Sequence, residues 1–248
     1  MKKLLLNISL LAMVLPGIGQ TIFVSSGKIE FERKVNQHRL MFTGETGDWI
    51  NEFKKIIPQF RTDYFNLTFN ETKSLYTIGK EDDNKSQMFF NTPAQDNLVY
   101  KDFTTQTAVS NKSVFEAKFL LTDSLVNRQW RIEAETRTIA GFECRKAVTT
   151  ICDSVVVVAF YTDQIVTPAG PESFSGLPGM ILGLAVPRLY TTWFATKLET
   201  ITAADEARIV APSKGKKATS VDMNATISKA IQQWGVKYRD RSIWSVTL

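Results

Sequence analysis

The side chains best suited to chemistry in this 248-residue chain are few. They are one histidine (His38), two cysteines (Cys144 and Cys152) and some carboxylates near apolar segments. A thiol nucleophile needs a base beside it, so Cys144 with His38 is the dyad to consider. Nothing in the sequence brings them together. His38 stands between Gln37 and Arg39 at the end of a strand and reads as a surface residue. A single histidine rules out a two-histidine metal site, and there is no CxxC pair. Glu133, Glu135, Asp163 and Glu172 would suit a carboxylate-dependent hydrolase if they converged, because that chemistry depends on the distance between carboxyl groups. Solvent-facing charges on strands are the simpler reading.

The densest stretch is GPESFSGLPGMILGL, Gly170 to Leu184, with four glycines and two prolines among apolar residues. It fails three motif tests. A hydrolase elbow needs G-x-S-x-G, but Ser173 is flanked by Pro171 and Ser175 at those positions. A phosphate loop needs a lysine directly after its second glycine, and Gly176 is followed by Leu177. Gly179 and Gly183 have helix-dimer spacing in a run too short to span a membrane. The physical reading is a folded corner. Gly170-Pro171 opens a loop and Phe174 plugs its inside. Leu177-Pro178-Gly179-Met180 predicts a type II turn, with positive φ at Gly179. Met180 to Val186 then enters a buried strand stopped by Pro187.

Most other segments read as strands. These are 28–35, 65–69 with 75–78 as a hairpin, 114–121, 130–134, 144–151, 191–198 and 208–210. The apolar run 155–161 reads as a strand buried on both faces. Two segments show helical spacing, 48–60 and 220–238. Their apolar stripes are expected to face the core. Glu81 to Lys85 reads as a solvated loop, since it lacks the glycine and distal glutamate of a calcium loop. No metal or other cofactor is expected.

Lys2 and Lys3 precede an apolar run, Leu4 to Leu15, and then Pro16-Gly17-Ile18-Gly19. This order is that of a secretory signal peptide, residues 1–19, leaving one domain over 20–248. No cysteine near the cleavage point offers a lipid anchor, and no later run reaches membrane length. An exported, soluble chain in the periplasm or outside the cell is expected. Loss of Lys2 and Lys3 takes the 30 basic residues to 28 against 25 acids, so the net charge falls from +5 to +3. That is too mild for a nucleic-acid partner. Export permits a disulfide, but Cys144 and Cys152 sit about eight extended residues, roughly 26 Å, apart. Two unpaired, buried or half-buried thiols are expected.

Gly176-Leu177-Pro178-Gly179-Met180-Ile181-Leu182 resembles the signature of the GLPGLI family (Porphyromonas-gingivalis-type family) of exported Bacteroidetes proteins. Trp130, Glu135-Thr136-Arg137, Ile139, Gly141-Phe142 and Cys144-Arg145-Lys146-Ala147 resemble its upstream pattern. Phe160-Tyr161-Thr162, Ile165, Gly170-Pro171 and Phe174 resemble the next segment. Met180 replaces a leucine, and Val166 stands where a proline is usual. The resemblance implies an exported protein of unsettled function and supplies no catalytic residues. Asp123-Ser124-Leu125 and Asp153-Ser154-Val155 resemble Bacteroidetes O-glycosylation sites, though such short matches are common by chance.

The expected fold is mainly β, a single curved antiparallel sheet covered by one or two helices. It resembles the half-barrel of periplasmic lipoprotein carriers by analogy of fold alone. The expected function is non-enzymatic: binding of an apolar ligand, or of an outer-membrane transport or secretion component. A carboxylate-dependent hydrolase and a structural module without ligand are the alternatives.

Overall fold

The computed structural model describes residues 23–80, 93–233 and 235–248. The signal sequence and the Glu81–Lys85 loop lie outside the described residues. The elements in chain order are β1 (Gly27–Asn36), α1 (Gln37–Phe42), α2 (Trp49–Ile56), β2 (Phe60–Phe69) and β3 (Lys73–Lys80). Next come β4 (Leu98–Asp102), β5 (Thr107–Val114), β6 (Ala117–Ser124), β7 (Arg131–Ile139), β8 (Phe142–Ile151) and β9 (Val155–Thr162). The last are β10 (Met180–Val186), β11 (Thr191–Glu199), α3 (Ala203–Glu206), β12 (Lys216–Ala218), α4 (Ser220–Ala230) and α5 (Val236–Thr247).

All twelve strands form one sheet, in the order β12-β6-β5-β4-β3-β2-β1-β11-β10-β9-β8-β7. Neighbours run antiparallel, apart from β12, which pairs parallel with β6. Alternation decides which face is inside. Ile29, Phe31 and Arg33 of β1 are buried, as are Asp63, Phe65, Leu67 and Phe69 of β2. Glu30 and Glu32, between them, are only half-buried on the opposite face. The sheet is strongly curved. Lys112 of β5 and Val148 of β8 line one cavity although seven strands stand between theirs in the sheet order. In a flat sheet that separation would be roughly 40 Å. The segment between β9 and β10 and the C-terminal residue Leu248 fill the inside, packing with Trp193, Tyr76 and Phe65. A second cluster joins Met223, Ile227 and Ile231 to Phe119 and Leu121 of β6 and to Val246 of α5.

Several expectations need correction. The span 114–121 is not one strand. Phe115, at φ +53, turns the chain, and Val114 pairs with Ala117 across a tight hairpin. Residues 208–210 form no strand. Thr202 and Asp205 cap one another to start α3, and its turn bonds continue through Ile209 N–H to the Glu206 carbonyl (3.0 Å). The 220–238 helix is two helices: α4 ends at Ala230, with Ile231 outside helical geometry (φ −101, ψ 14), and Gly235, at ψ 146, precedes α5. The 48–60 helix ends at Ile56, and Phe60 already belongs to β2. Trp49, Phe53 and Ile56 of that helix are exposed, so its stripe is only partly core-facing. Strand β9 is buried on both faces only in its second half, since Val156 is 45% exposed.

Candidate functional site

The corner between β9 and β10 is built from close approaches and buried polar contacts. Gly179 has φ +134, as a positive-φ turn residue requires. Its N–H, however, bonds to the Leu177 carbonyl (2.8 Å), while the Met180 N–H goes to Ile165 (3.1 Å). The turn is therefore a tight three-residue one centred on Pro178, not the four-residue type II turn. A side chain is excluded at Gly170 as well, where a Cβ would lie 2.7 Å from that of Ile181. Gly176, at φ +89, has open space around it. Phe174, Leu177, Met180, Ile181 and Leu182 are all buried, and Pro171 with them.

Two cations, Lys101 buried and Arg128 half-buried, hold the loop. The Lys101 ammonium donates to the carbonyls of Gly170 (3.0 Å) and Phe174 (2.6 Å). Arg128 donates to the Ser173 carbonyl (2.9 Å) and hydroxyl (2.7 Å) and lies 4.5 Å over the Phe174 ring. The Trp130 indole N–H donates to Ser175 (3.1 Å). Ser173 N–H reaches the Leu248 carbonyl (3.0 Å), which ties the corner to the end of the chain. Phe174 is fully buried inside the loop, its ring 6.4 Å from that of Trp130.

Glu172 sits at φ +52 in the interior. Asn97 Nδ2 donates to it (2.7 Å), and Arg33 Nη1 lies 4.0 Å away. Burial raises its pKa, with Arg33 and Asn97 pulling the other way. Arg33 donates to Asp63 (2.7 Å), which also pairs with Arg61 (3.0 Å). This network is structural in form: each carboxylate is met by guanidinium or amide donors.

Of the four candidate carboxylates only Glu133 and Glu135 come together, on the Lys146 ammonium; Asp163 and Glu172 stand apart from them. Glu133 and Glu135 flank Lys146 on the exposed strand β7, at 3.3 and 2.7 Å from its ammonium. Asp163 is exposed in the turn after β9. Glu172 is buried in the network just described. His38 is half-buried with Nε2 on the Ile57 carbonyl (2.7 Å). Neither cysteine is in a disulfide. Cys144 is buried, and burial pushes its thiol up to about 12, so it is a poor nucleophile. Cys152 corrects the expectation of half-burial: it is exposed at φ +47, in the turn joining β8 to β9.

Beside the corner lies a cavity of about 870 Å³, within the usual size of small-molecule sites. Its apolar walls include Val99, Val126, Val148, Ile151, Met223 and Val246. The charged side chains Lys112, Asp123, Arg128 and Arg131 also line it. Lys112 donates to the Val246 carbonyl (2.6 Å), and burial lowers its pKa to about 8, with Arg128 adding to the fall and Glu172 and Asp123 opposing it. Burial likewise lowers that of Arg128 to about 10. Ser124, of the first possible glycosylation site, is exposed at the cavity rim, and Ser154 of the second is exposed beside Arg188.

A family model described as a protein of unknown function (Porph_ging) matches residues 149–183. The match runs from the end of β8 through β9 and the corner into β10, the segment on which the resemblance in sequence is densest. No curated protein matches the chain. Among solved structures, PNGF-II in a P21 crystal form is similar over 81% of this chain, at 15% identity and a TM-score of 0.52. PNGF-II in a C2 form is similar over 90%, at 14% identity and the same TM-score of 0.52. In both cases this chain spans only 33% of the length of the other. At such identity the likeness is one of fold, a mainly β architecture.

The buried cations Arg33 of the interior network and Lys112 of the cavity escaped the sequence reading although a signal exists. Arg33 falls on the same alternating face as Ile29 and Phe31, and Lys112 on that of Ser110. A charge on the inward face of a strand is the pattern that marks them.

Proposed function

We propose that the protein is an exported, non-enzymatic member of the GLPGLI family that binds an apolar ligand in the cavity beside the corner. The observation that carries this reading is the cavity itself, about 870 Å³, with valine, isoleucine and methionine walls inside a curved sheet. A mostly apolar pocket with a few fixed polar groups is the usual form of a small-molecule site. A non-enzymatic role is supported by the separation of Asp163 and Glu172 from the Glu133–Lys146–Glu135 cluster, by the exposure of that cluster's strand, and by the high pKa of Cys144. The corner residues Gly170 to Leu182 then act as framework: they shape one wall and tie it to the C-terminus.

Export is supported by the basic, apolar and small-residue order of residues 1–19. No helix among the described residues is long and apolar enough to cross a membrane. Docking to an outer-membrane transport or secretion component is the second reading. It is favoured by the exposed strip of Trp49 (47%), Phe53 (37%), Ile56 (56%) and Phe60 (43%).

Native mass spectrometry of the protein purified from the periplasm tests the ligand. A bound apolar mass, released on unfolding, is expected. Repeated recovery of the bare chain, with no uptake of an added hydrophobic dye, would overturn the reading.

A further inference from the structure

Two cations, Lys112 buried and Arg128 half-buried, face the cavity with their bonding capacity unfilled. The Lys112 ammonium has three protons, and one hydrogen bond, to the Val246 carbonyl, is present. Arg128 uses both terminal nitrogens on Ser173, but its buried Nε has no hydrogen-bond partner among the described residues. Neither side chain has a carboxylate within salt-bridge distance among the described residues. The buried Asn224 Oδ1, also in the cavity wall, is likewise without a partner. Of the nearby charges, Asp123 also lines the cavity and its charge acts on Lys112, but it stands beyond salt-bridge distance of both cations, and the others are paired. Asp123 accepts from Ser220 (2.6 Å), Arg131 pairs with Glu133 (2.8 Å), and Glu172 is held by Asn97 and Arg33.

Buried charges without a counter-ion are costly, and proteins rarely leave them so. Here they stand at an apolar-walled space large enough for a chain of carbons. We infer that the ligand is an anionic amphiphile: an apolar chain along the cavity wall and a carboxylate head received by Lys112 and Arg128. This rests on the apolar-ligand reading proposed above. The head supplies the missing counter-charge, and its oxygens accept the free protons of Lys112, with the Arg128 guanidinium beside them in the cavity wall. An uncharged alcohol of the same length fills the walls equally well but leaves both cations uncompensated.

Calorimetric titration of the mature chain, freed of copurified ligand, with laurate and with dodecanol is the test. At pH 7 laurate is expected to bind at least about tenfold tighter, since a charge-assisted hydrogen bond is worth that much. At pH 9.5 the preference should shrink as Lys112 gives up its proton, with Arg128 retaining part of it. Lys112→Met should reduce the preference for laurate over dodecanol at pH 7 and remove its change with pH. If Lys112→Met does not fold, the pH series on the parent decides alone. Equal binding of the two probes at pH 7 would overturn the anionic head and leave the apolar cavity standing. Binding of neither probe would overturn both.

Discussion

Gly179 and Thr162 approach so closely that a Cβ built on the glycine would lie 2.0 Å from the threonine carbonyl oxygen. Gly179 also sits at φ +134. Two costs therefore fall on Gly179→Ala, backbone strain and a clash with backbone that cannot swing aside. Gly176, at φ +89 with nothing within 4 Å, would bear only the first. Gly176→Ala is expected to cost about 1 kcal/mol, and Gly179→Ala clearly more. Urea melts of the two variants check the order. Equal midpoints would mean that the close approach to Thr162 relaxes freely.

Leu182 is 1% exposed in β10, a strand buried on nearly its whole length. Leu182→Ala is expected to cost roughly 2–5 kcal/mol through the lost burial and the cavity left behind. Pro178→Ala should cost less, because it mainly frees the unfolded chain. Thermal melts rank the two. A parent-like melt for Leu182→Ala would remove the corner's structural role.

Asp63 carries the charge balance of the interior. It accepts from Arg33 (2.7 Å) and pairs with Arg61 (3.0 Å), and it is fully buried. Asp63→Asn keeps the shape and leaves two guanidinium groups facing a neutral amide. Breaking one side of a buried ion pair costs about 3–5 kcal/mol. Denaturant unfolding of the variant measures it, and a loss under about 1 kcal/mol would show that Glu172 takes over the pairing.

The strand framework was legible because alternation is written directly into segments such as Lys28 to Val35, which became β1. Where the sequence reading failed, a local device had overridden the pattern. A positive φ at Phe115 split one apolar run into two strands, and departures from helical geometry at Ile231 and Gly235 split one helix into two. The corner was legible as a framework from its glycines and prolines, yet its hydrogen-bond pattern depends on Ile165, which no local rule supplies. The cavity was the least legible feature. Lys112 and Val148 meet only because a twelve-stranded sheet curls, and curvature is a sum over many strands.

The two thiols should separate cleanly in labelling. Cys152 is exposed in a turn, whereas Cys144 is buried with its pKa pushed up to about 12. Iodoacetamide at pH 8 is expected to add one group to the folded chain, at Cys152, and two once the chain is unfolded. Peptide mass mapping locates them. Rapid labelling of Cys144 in the folded state would contradict its burial.

Lys112 should leave a mark on stability as a function of pH. Its folded pKa is lowered from 10.5 to about 8 by burial and by Arg128, with Glu172 and Asp123 opposing. A depressed folded pKa means that the unfolded chain binds the proton more tightly. The stability this group contributes is thus present above about pH 10.5 and is lost as pH falls through 8. Across that window the change is about 3 kcal/mol, at 1.36 kcal/mol for each pH unit between the two pKa values. Burial shifts other groups as well, lowering the pKa of Lys101 and raising that of Tyr76. The difference between parent and Lys112→Met isolates the one contribution. That difference should climb by about 3 kcal/mol in the parent's favour between pH 7.5 and 10.5, read from urea unfolding at each pH. A flat difference would mean that the ammonium is solvated in the cavity and not buried.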